Sequence, residues 1–252
     1  MKISEQTDRL HEMIAESGNI VFFGGAGVST ESNIPDFRSA GGLYSQKYDY
    51  PPETMLSHTF YVSHTDEFFD FYKNKILCPW ARPNEAHRVL ARLEKEGKLR
   101  AVITQNIDGL HQAAGSKNVL ELHGSVHRNY CEACGKFYPL DYILKSAGSP
   151  ICTCGGVVKP DVVLYEEGLN AKTMEDAARF IGEADLLIVG GTSLVVYPAA
   201  GLLRGYRGGK LVLINKGYTP YDKMAALAMD AKVGETLARA WPADTAESEG
   251  DI

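Results

Sequence analysis

Apolar residues follow two rhythms along this chain. Between Glu5 and Ser17, Leu10, Met13 and Ile14 recur at helical spacing, and Gly18-Asn19 ends that segment before the unbroken run Ile20-Val21-Phe22-Phe23. Similar runs return at Ala101-Val102-Ile103-Thr104, at Leu186-Leu187-Ile188-Val189 ahead of Gly190-Gly191, and at Leu211-Val212-Leu213-Ile214 ahead of Asn215. Another short one, Val119-Leu120-Glu121-Leu122, precedes His123. Strands without polar alternation are covered on both faces, and the segments between them, such as Glu85 to Glu96 and Ala171 to Ile181, read as helices. The pattern predicts an α/β core wound doubly around a parallel sheet. Two stretches interrupt it: Ser32 to Trp80 is aromatic-rich and helical or looped, and Cys131 to Gly156 holds cysteines with little apolar content. They read together as a smaller domain inserted twice into a larger one. The expected division is 1–31, 81–125 and 158–252 for the larger domain, with 32–80 and 126–157 for the smaller. A polar tail at Asp244 to Ile252 is expected to be disordered.

Length and composition narrow the classes without choosing among them. The chain has 252 residues, 44% of them hydrophobic, enough to bury a full core. No stretch approaches the roughly 20 apolar residues of a membrane span, and Met1-Lys2-Ile3-Ser4-Glu5 lacks the apolar run of a signal peptide. The expected address is the cytoplasm, with no membrane association. A net charge of −6 argues against a broad electrostatic grip on nucleic acid and is compatible with basic protein segments as ligands. A monomer is the plainest expectation for the oligomeric state.

The chemistry-bearing residues fall at strand ends. In Gly25-Ala26-Gly27-Val28-Ser29-Thr30, glycines allow a tight turn off a strand and close approach to a pyrophosphate. The third glycine of the usual dinucleotide fingerprint is replaced by Thr30, so a plain strand-to-helix turn is the alternative. Gly191, Thr192 and Ser193 follow a later strand and Asn215 ends another, where open α/β sheets present their ligand crevice. Four of the five cysteines form two close pairs, Cys131 with Cys134 and Cys152 with Cys154, separated by 17 residues and each followed by glycine. Four thiolates suit tetrahedral Zn²⁺ and leave no open coordination position, so the expected metal is structural. Two redox thiol pairs are the alternative. Gln105-Asn106-Ile107-Asp108 follows the second core strand and His123-Gly124 follows Val119-Leu122, which clusters polar side chains at two neighbouring strand ends. His123 is a candidate general base, since an unperturbed imidazole accepts a proton near neutral pH. His11, His58, His64, His87 and His127 are assigned structural roles.

Together and in this order, the blocks Gly25-Ala26-Gly27-Val28-Ser29, Ile34-Pro35-Asp36-Phe37-Arg38, Gln105-Asn106-Ile107-Asp108, His123-Gly124, the four cysteines and Gly191-Thr192-Ser193-Leu194 resemble the sirtuin family over nearly the whole chain. The resemblance implies a Rossmann-like domain, a small zinc-bearing domain, and an acyl-lysine tunnel between them. It implies NAD as co-substrate of a protein-lysine deacetylase that releases nicotinamide, free lysine and 2'-O-acetyl-ADP-ribose. Gly25, Ala26, Gly27, Thr30, Phe37 and Arg38 then correspond to the NAD-contacting loop, with Phe37 shielding the ribose carbon from water. Gln105, Ile107 and Asp108 correspond to the nicotinamide pocket, Asn106 to the residue that orders the ribose hydroxyls, and His123 to the catalytic base. Gly191, Thr192, Ser193 and Asn215 correspond to phosphate and adenosine-ribose contacts, with Lys232 and Val233 flanking adenine.

Val162, Val163 and Tyr165 resemble the loop that pairs with the substrate backbone, and Tyr165-Glu166-Glu167 replaces the family's Phe-Gly-Glu. Asn33 likewise replaces a glycine. Tyr72 and Lys75 offer Tyr-x-x-Lys where sirtuins selective for acidic acyl groups carry Tyr-x-x-Arg; lysine lacks the bidentate fork, which favours acetyl over succinyl. A core-facing aromatic is the competing reading of Tyr72. Desuccinylation, mono-ADP-ribosyl transfer and non-catalytic binding of NAD or acyl-lysine are the other functional readings.

Overall fold

The computed structural model describes residues 3–37, 41–45, 47–48 and 50–243. Arg38 and the tail at 244–252 lie outside the described residues. Nine strands are present among them: β1 (Ile20–Gly24), β2 (Leu99–Thr104), β3 (Val119–Glu121), β4 (Gly124–Cys131), β5 (Phe137–Tyr138), β6 (Val158–Val162), β7 (Leu186–Gly190), β8 (Lys210–Asn215) and β9 (Leu227–Asp230). Six form a parallel sheet in the order β3-β2-β1-β7-β8-β9.

Alternate side chains of each strand enter different cores. Ile20, Phe22, Ile188 and Ile214 meet Leu10 and Ile14 of helix Ile3–Glu16, Val89 and Leu93 of helix Glu85–Lys95, and Leu237 of helix Val233–Ala240. Val21, Phe23, Val189 and Leu213 meet Ala177 and Ile181 of helix Ala171–Glu183 and Leu203 of the 3₁₀ segment Ala199–Gly205. Both faces are covered, which explains the absence of polar alternation. β9 and helix Val233–Ala240 are elements the apolar pattern did not single out; β9 is four residues long and half-exposed.

A second body is built on the antiparallel sheet β5-β4-β6. Short helices at Pro52–Met55, His58–Ser63, Thr65–Phe71 and Leu140–Lys145 pack against it, and Phe60, Tyr61, Phe68, Phe69 and Tyr72 form its core with Val126, Ile143 and Val158. The chain passes from the parallel to the antiparallel sheet at His123, between β3 and β4. Gly124 turns there at φ 79°, and a Cβ on it would lie 1.9 Å from the Asp161 carbonyl oxygen, so only glycine lets β6 approach.

Candidate active site

The carboxyl ends of three central strands lie level, with Gly24 paired to Thr104 on one side and to Gly190 on the other. From β1 the chain leads to β2 on one side, while β7 arrives later on the other. The loops above β1 and β7 therefore border the switch point where such sheets take their ligand. The glycines at this point serve contact between loops. A Cβ on Gly27 would meet Gly191 Cα at 2.7 Å, and one on Gly25 would meet Thr192 Cβ at 2.8 Å. Gly191 has φ 60°, in the left-handed region that favours glycine.

The turn corrects one expectation. No α-helix follows β1; two 3₁₀ turns do, Ala26–Val28 and Thr30–Ser32. The amides of Gly25, Gly27, Val28 and Ser29 already donate to Gly190, Gly191, Gly25 and Ala26 carbonyls. These four amides are thus engaged within the loop and with the end of β7. Asn33 closes the second turn at φ 62°, a conformation asparagine tolerates better than most residues. Glu31 reaches across to the start of helix Val233–Ala240, accepting from the amides of Gly234 at 2.7 Å and Glu235 at 3.1 Å.

The polar block after β2 is one hydrogen-bonded cluster. Asp108 Oδ2 accepts from Ser29 Oγ at 2.7 Å and its Oδ1 from the Leu110 amide at 2.9 Å. Asn106 Nδ2 donates to the same Ser29 oxygen at 3.1 Å, and Gln105 Nε2 donates to Thr192 Oγ1 at 3.1 Å. Burial pushes the Asp108 carboxyl above its ordinary range, against the hydrogen bonds from Leu110 and Ser29 that pull it down. Ile107 sits beneath, packed against the core of the smaller body, and its carbonyl accepts from the Val126 amide.

His123 lies half-buried beside this cluster. Its Nδ1 lies 2.9 Å from the Gln105 carbonyl oxygen. A carbonyl only accepts, so Nδ1 carries the hydrogen and the neutral ring keeps its lone pair on Nε2. Burial depresses the His123 pKa, opposed by the bond to Gln105. The backbone carbonyl of His123 accepts from the Val163 amide at 3.0 Å, which ties the segment Val162-Val163 to the same point. Tyr165 is held between Leu56, whose carbonyl takes its amide, and His58, whose amide its carbonyl takes, both at 3.0 Å.

Four sulfurs, of Cys131, Cys134, Cys152 and Cys154, lie within 4.8 Å of one another. The shortest gaps are 3.4 Å (Cys131 to Cys154) and 3.6 Å (Cys134 to Cys152). Tetrahedral Zn–S bonds of about 2.3 Å place sulfurs about 3.8 Å apart, so the cluster fits the ion.

The remaining candidates separate. Thr192 is buried against Gln105, while Ser193, Thr30, Ala26 and Asn215 keep some exposure at the strand ends. Asn215 Nδ2 donates to the carbonyls of Lys216 and Gly217 at 3.3 Å. Lys232 is exposed at the start of the last helix, but the Val233 side chain is 2% exposed and committed to the core. Tyr72 is a core aromatic: it is 0% exposed, stacked on Phe68 at 5.6 Å, and its hydroxyl finds no partner. Lys75 sets its ammonium over the Tyr48 ring at 5.6 Å. Tyr72 and Lys75 lie in a π-helical turn, Tyr72–Ile76, and do not present two free polar tips together. Two contributors escaped the sequence reading. Ser29, quoted only as a loop residue, bridges Asn106 and Asp108. His127, assigned a structural role, points Nε2 at the Asp108 carbonyl at 3.1 Å, closing the cluster from the β4 side.

The profile of the Sir2 family matches residues 25–198. The chain belongs to the Sir2 family. A relative from Clostridium acetobutylicum, named NAD-dependent protein deacetylase, is 59% identical over 241 residues, covering 94% of this chain and 98% of its own length. One of the same name from Clostridium tetani is 62% identical over 232 residues, 90% of this chain and 94% of that one. Among solved structures, Sir2 bound to acetylated peptide superposes with a TM-score of 0.81 at 42% identity, covering 95% of this chain and 97% of that one. Sir2 with a p53 peptide and NAD⁺ gives a TM-score of 0.81 at 43% identity and the same coverage.

Proposed function

We propose that this Sir2-family chain removes acetyl groups from lysine side chains of protein segments at the expense of NAD, with His123 as general base. The observation that carries the reading is the His123 ring, held by the Gln105 carbonyl with Nε2 unprotonated beside the Asn106 and Asp108 cluster at the carboxyl ends of the strands. NAD supplies the electrophilic ribose carbon and accepts the acetyl group as nicotinamide departs. The chain's residues do the rest. Nε2 of His123 takes the proton of a ribose hydroxyl; Gln105 fixes the tautomer that makes this possible. Asn106, tied to Ser29, orients the hydroxyls, and Asp108 with Ile107 lines the nicotinamide end. Phe37 excludes water from the reacting carbon, which matters because water would otherwise consume the co-substrate without deacetylation. Val162 and Val163, pinned beside His123, pair with the backbone of an extended peptide, so binding relies on main-chain hydrogen bonds and places modest demands on flanking sequence. The buried hydroxyl of Tyr72 and the Lys75 ammonium, set over the Tyr48 ring, favour a neutral acyl group over succinyl.

Mass spectrometry of an acetyl-lysine peptide incubated with the protein, with and without NAD, tests the reading. Deacetylation should require NAD, and His123→Ala should lower it by about 10²–10⁴-fold. Turnover unchanged in that variant removes His123 from its role; turnover of succinyl but not acetyl peptide overturns the acyl preference. Appearance of ADP-ribosylated protein in place of free lysine would instead support ADP-ribosyl transfer.

A further inference from the structure

At residue 165 the family's pattern has phenylalanine, and this chain adds a hydroxyl. The structure puts that hydroxyl to use. Tyr165 Oη lies 2.6 Å from Tyr44 Oη, a distance at which one phenol donates to the other. The two residues belong to different parts of the site. Tyr165 follows Val162-Val163, and its backbone is fixed through both Leu56 and His58. Tyr44 belongs to the loop that carries Phe37: its amide donates to the Phe37 carbonyl at 2.9 Å, and its ring meets the Phe37 ring edge-on at 5.6 Å. Leu43 donates to the Asp36 carbonyl at 2.8 Å, and a Cβ on Gly42 would lie 2.7 Å from that oxygen, so this turn is tight. Tyr165 is fixed through its backbone, so the bond ties the Tyr44 side to the substrate segment.

We infer that the Tyr44–Tyr165 hydroxyl pair is a positioning latch that holds the Phe37 loop against the substrate segment, coupling the exclusion of water to the seat of the peptide. The inference rests on the function proposed above. When the latch is absent, Phe37 and Tyr44 are held less closely to the substrate segment, and water competes with the acyl oxygen for the ribose carbon. In that side reaction the water oxygen bonds to the carbon, the bond to nicotinamide breaks with its electron pair leaving on nicotinamide, and the water's proton passes to solvent. The product is ADP-ribose instead of its acetyl ester.

Tyr165→Phe and Tyr44→Phe each delete one oxygen and keep the ring, and Tyr165 is an exposed side chain, so both variants should fold. Two readouts decide. First, hydrogen exchange of the Leu43 and Tyr44 amides in the protein without NAD should quicken by about fivefold in either variant, the change a single net hydrogen bond gives. Second, the ratio of ADP-ribose to O-acetyl-ADP-ribose formed from NAD and acetylated peptide should rise by a similar factor, and the double variant should rise no further than either single one. Unchanged exchange with an unchanged ratio, or effects that add in the double variant, would overturn the latch. If the wild-type protein forms no acetyl ester at all, the deacetylase reading fails, and the exchange readout still judges the contact between the two loops.

Discussion

Burial resists a charge on the His123 ring more than the Nδ1 bond to the Gln105 carbonyl favours one, so the base form persists on acidification. The acid limb of kcat/KM should therefore fall below the ordinary imidazole value of about 6.5, not at or above it. A pH–rate profile that loses activity already above that value contradicts the assignment. A second pair of histidines bears on stability. His87 and His111 are both buried, with ring centroids 4.7 Å apart, and burial lowers their pKa values to about 4 and about 3. His87 Nδ1 accepts from the Asn84 amide, closing the capping box of helix Glu85–Lys95, while Asn84 Nδ2 donates to Val28 O and Ser32 Oγ in the glycine loop. Each ring protonates more readily in the unfolded chain, so its contribution is complete above pH 6.5 and is lost as pH falls from there towards the folded values. At pH 5 the cost is roughly 2 kcal/mol for each ring. Urea denaturation at pH 7.5 and pH 5 measures it, and equal stability at the two would refute the argument.

The segment after β6 shows how one element compensates for a departure from its family's pattern. Glu166 occupies φ 76°, which suits the glycine it replaces and strains a residue with a Cβ. Its carboxylate in turn accepts from the Thr59 amide at 2.9 Å and the Thr59 hydroxyl at 2.7 Å, at the start of helix His58–Ser63. These bonds hold its pKa below the usual carboxylate range. The negative charge that Glu166 adds to the sequence is thereby directed into the helix start. Glu167 is likewise engaged, with His58 at 2.9 Å and Lys159 at 3.2 Å. Glu166→Gly loses the contact and relieves the backbone, whereas Glu166→Ala loses the contact and keeps the strain. Thermal denaturation should rank the variants wild type, then Gly, then Ala, with Ala roughly 2–4 °C below Gly. An Ala variant as stable as Gly would show that position 166 carries no strain.

For the whole molecule, the cysteine cluster and His123 belong to one continuous structure. β4 begins at Gly124 beside His123 and ends at Cys131, and it pairs with β6, which leads into Val162-Val163. Cys131 and Cys152 are themselves part of the smaller body's core, and Tyr138 Oη donates to Cys152 Sγ at 3.0 Å. Removing the metal should loosen this sheet and, through it, the base and the substrate segment, while the six-stranded sheet with its separate cores persists. A strong chelator should abolish deacetylation, remove about one equivalent of zinc per chain by elemental analysis, and leave most of the far-ultraviolet circular dichroism; returning zinc should restore activity. Full activity after the zinc is gone would break the link between cluster and site.

The sequence alone determined the parallel strands, the helices that cover them, the two cysteine pairs and the polar blocks at strand ends, because each rests on local spacing: apolar runs without alternation, thiol pairs beside glycines, short motifs after strands. It left β9 and the last helix unread, since a short half-buried strand has no distinctive period. Nor does it show that four amides of the glycine loop bond within the loop and to the end of β7. Only the tertiary structure decided which of these side chains work together. Ser29 between Asn106 and Asp108, His127 on the Asp108 carbonyl, the tautomer of His123, and Tyr165 on Tyr44 all join residues far apart in the chain. The same packing took Tyr72 and Val233 into the cores. Side-chain hydrogen bonds reach about 3 Å, and no periodicity along the chain encodes which distant residue will stand at that distance once the two sheets meet.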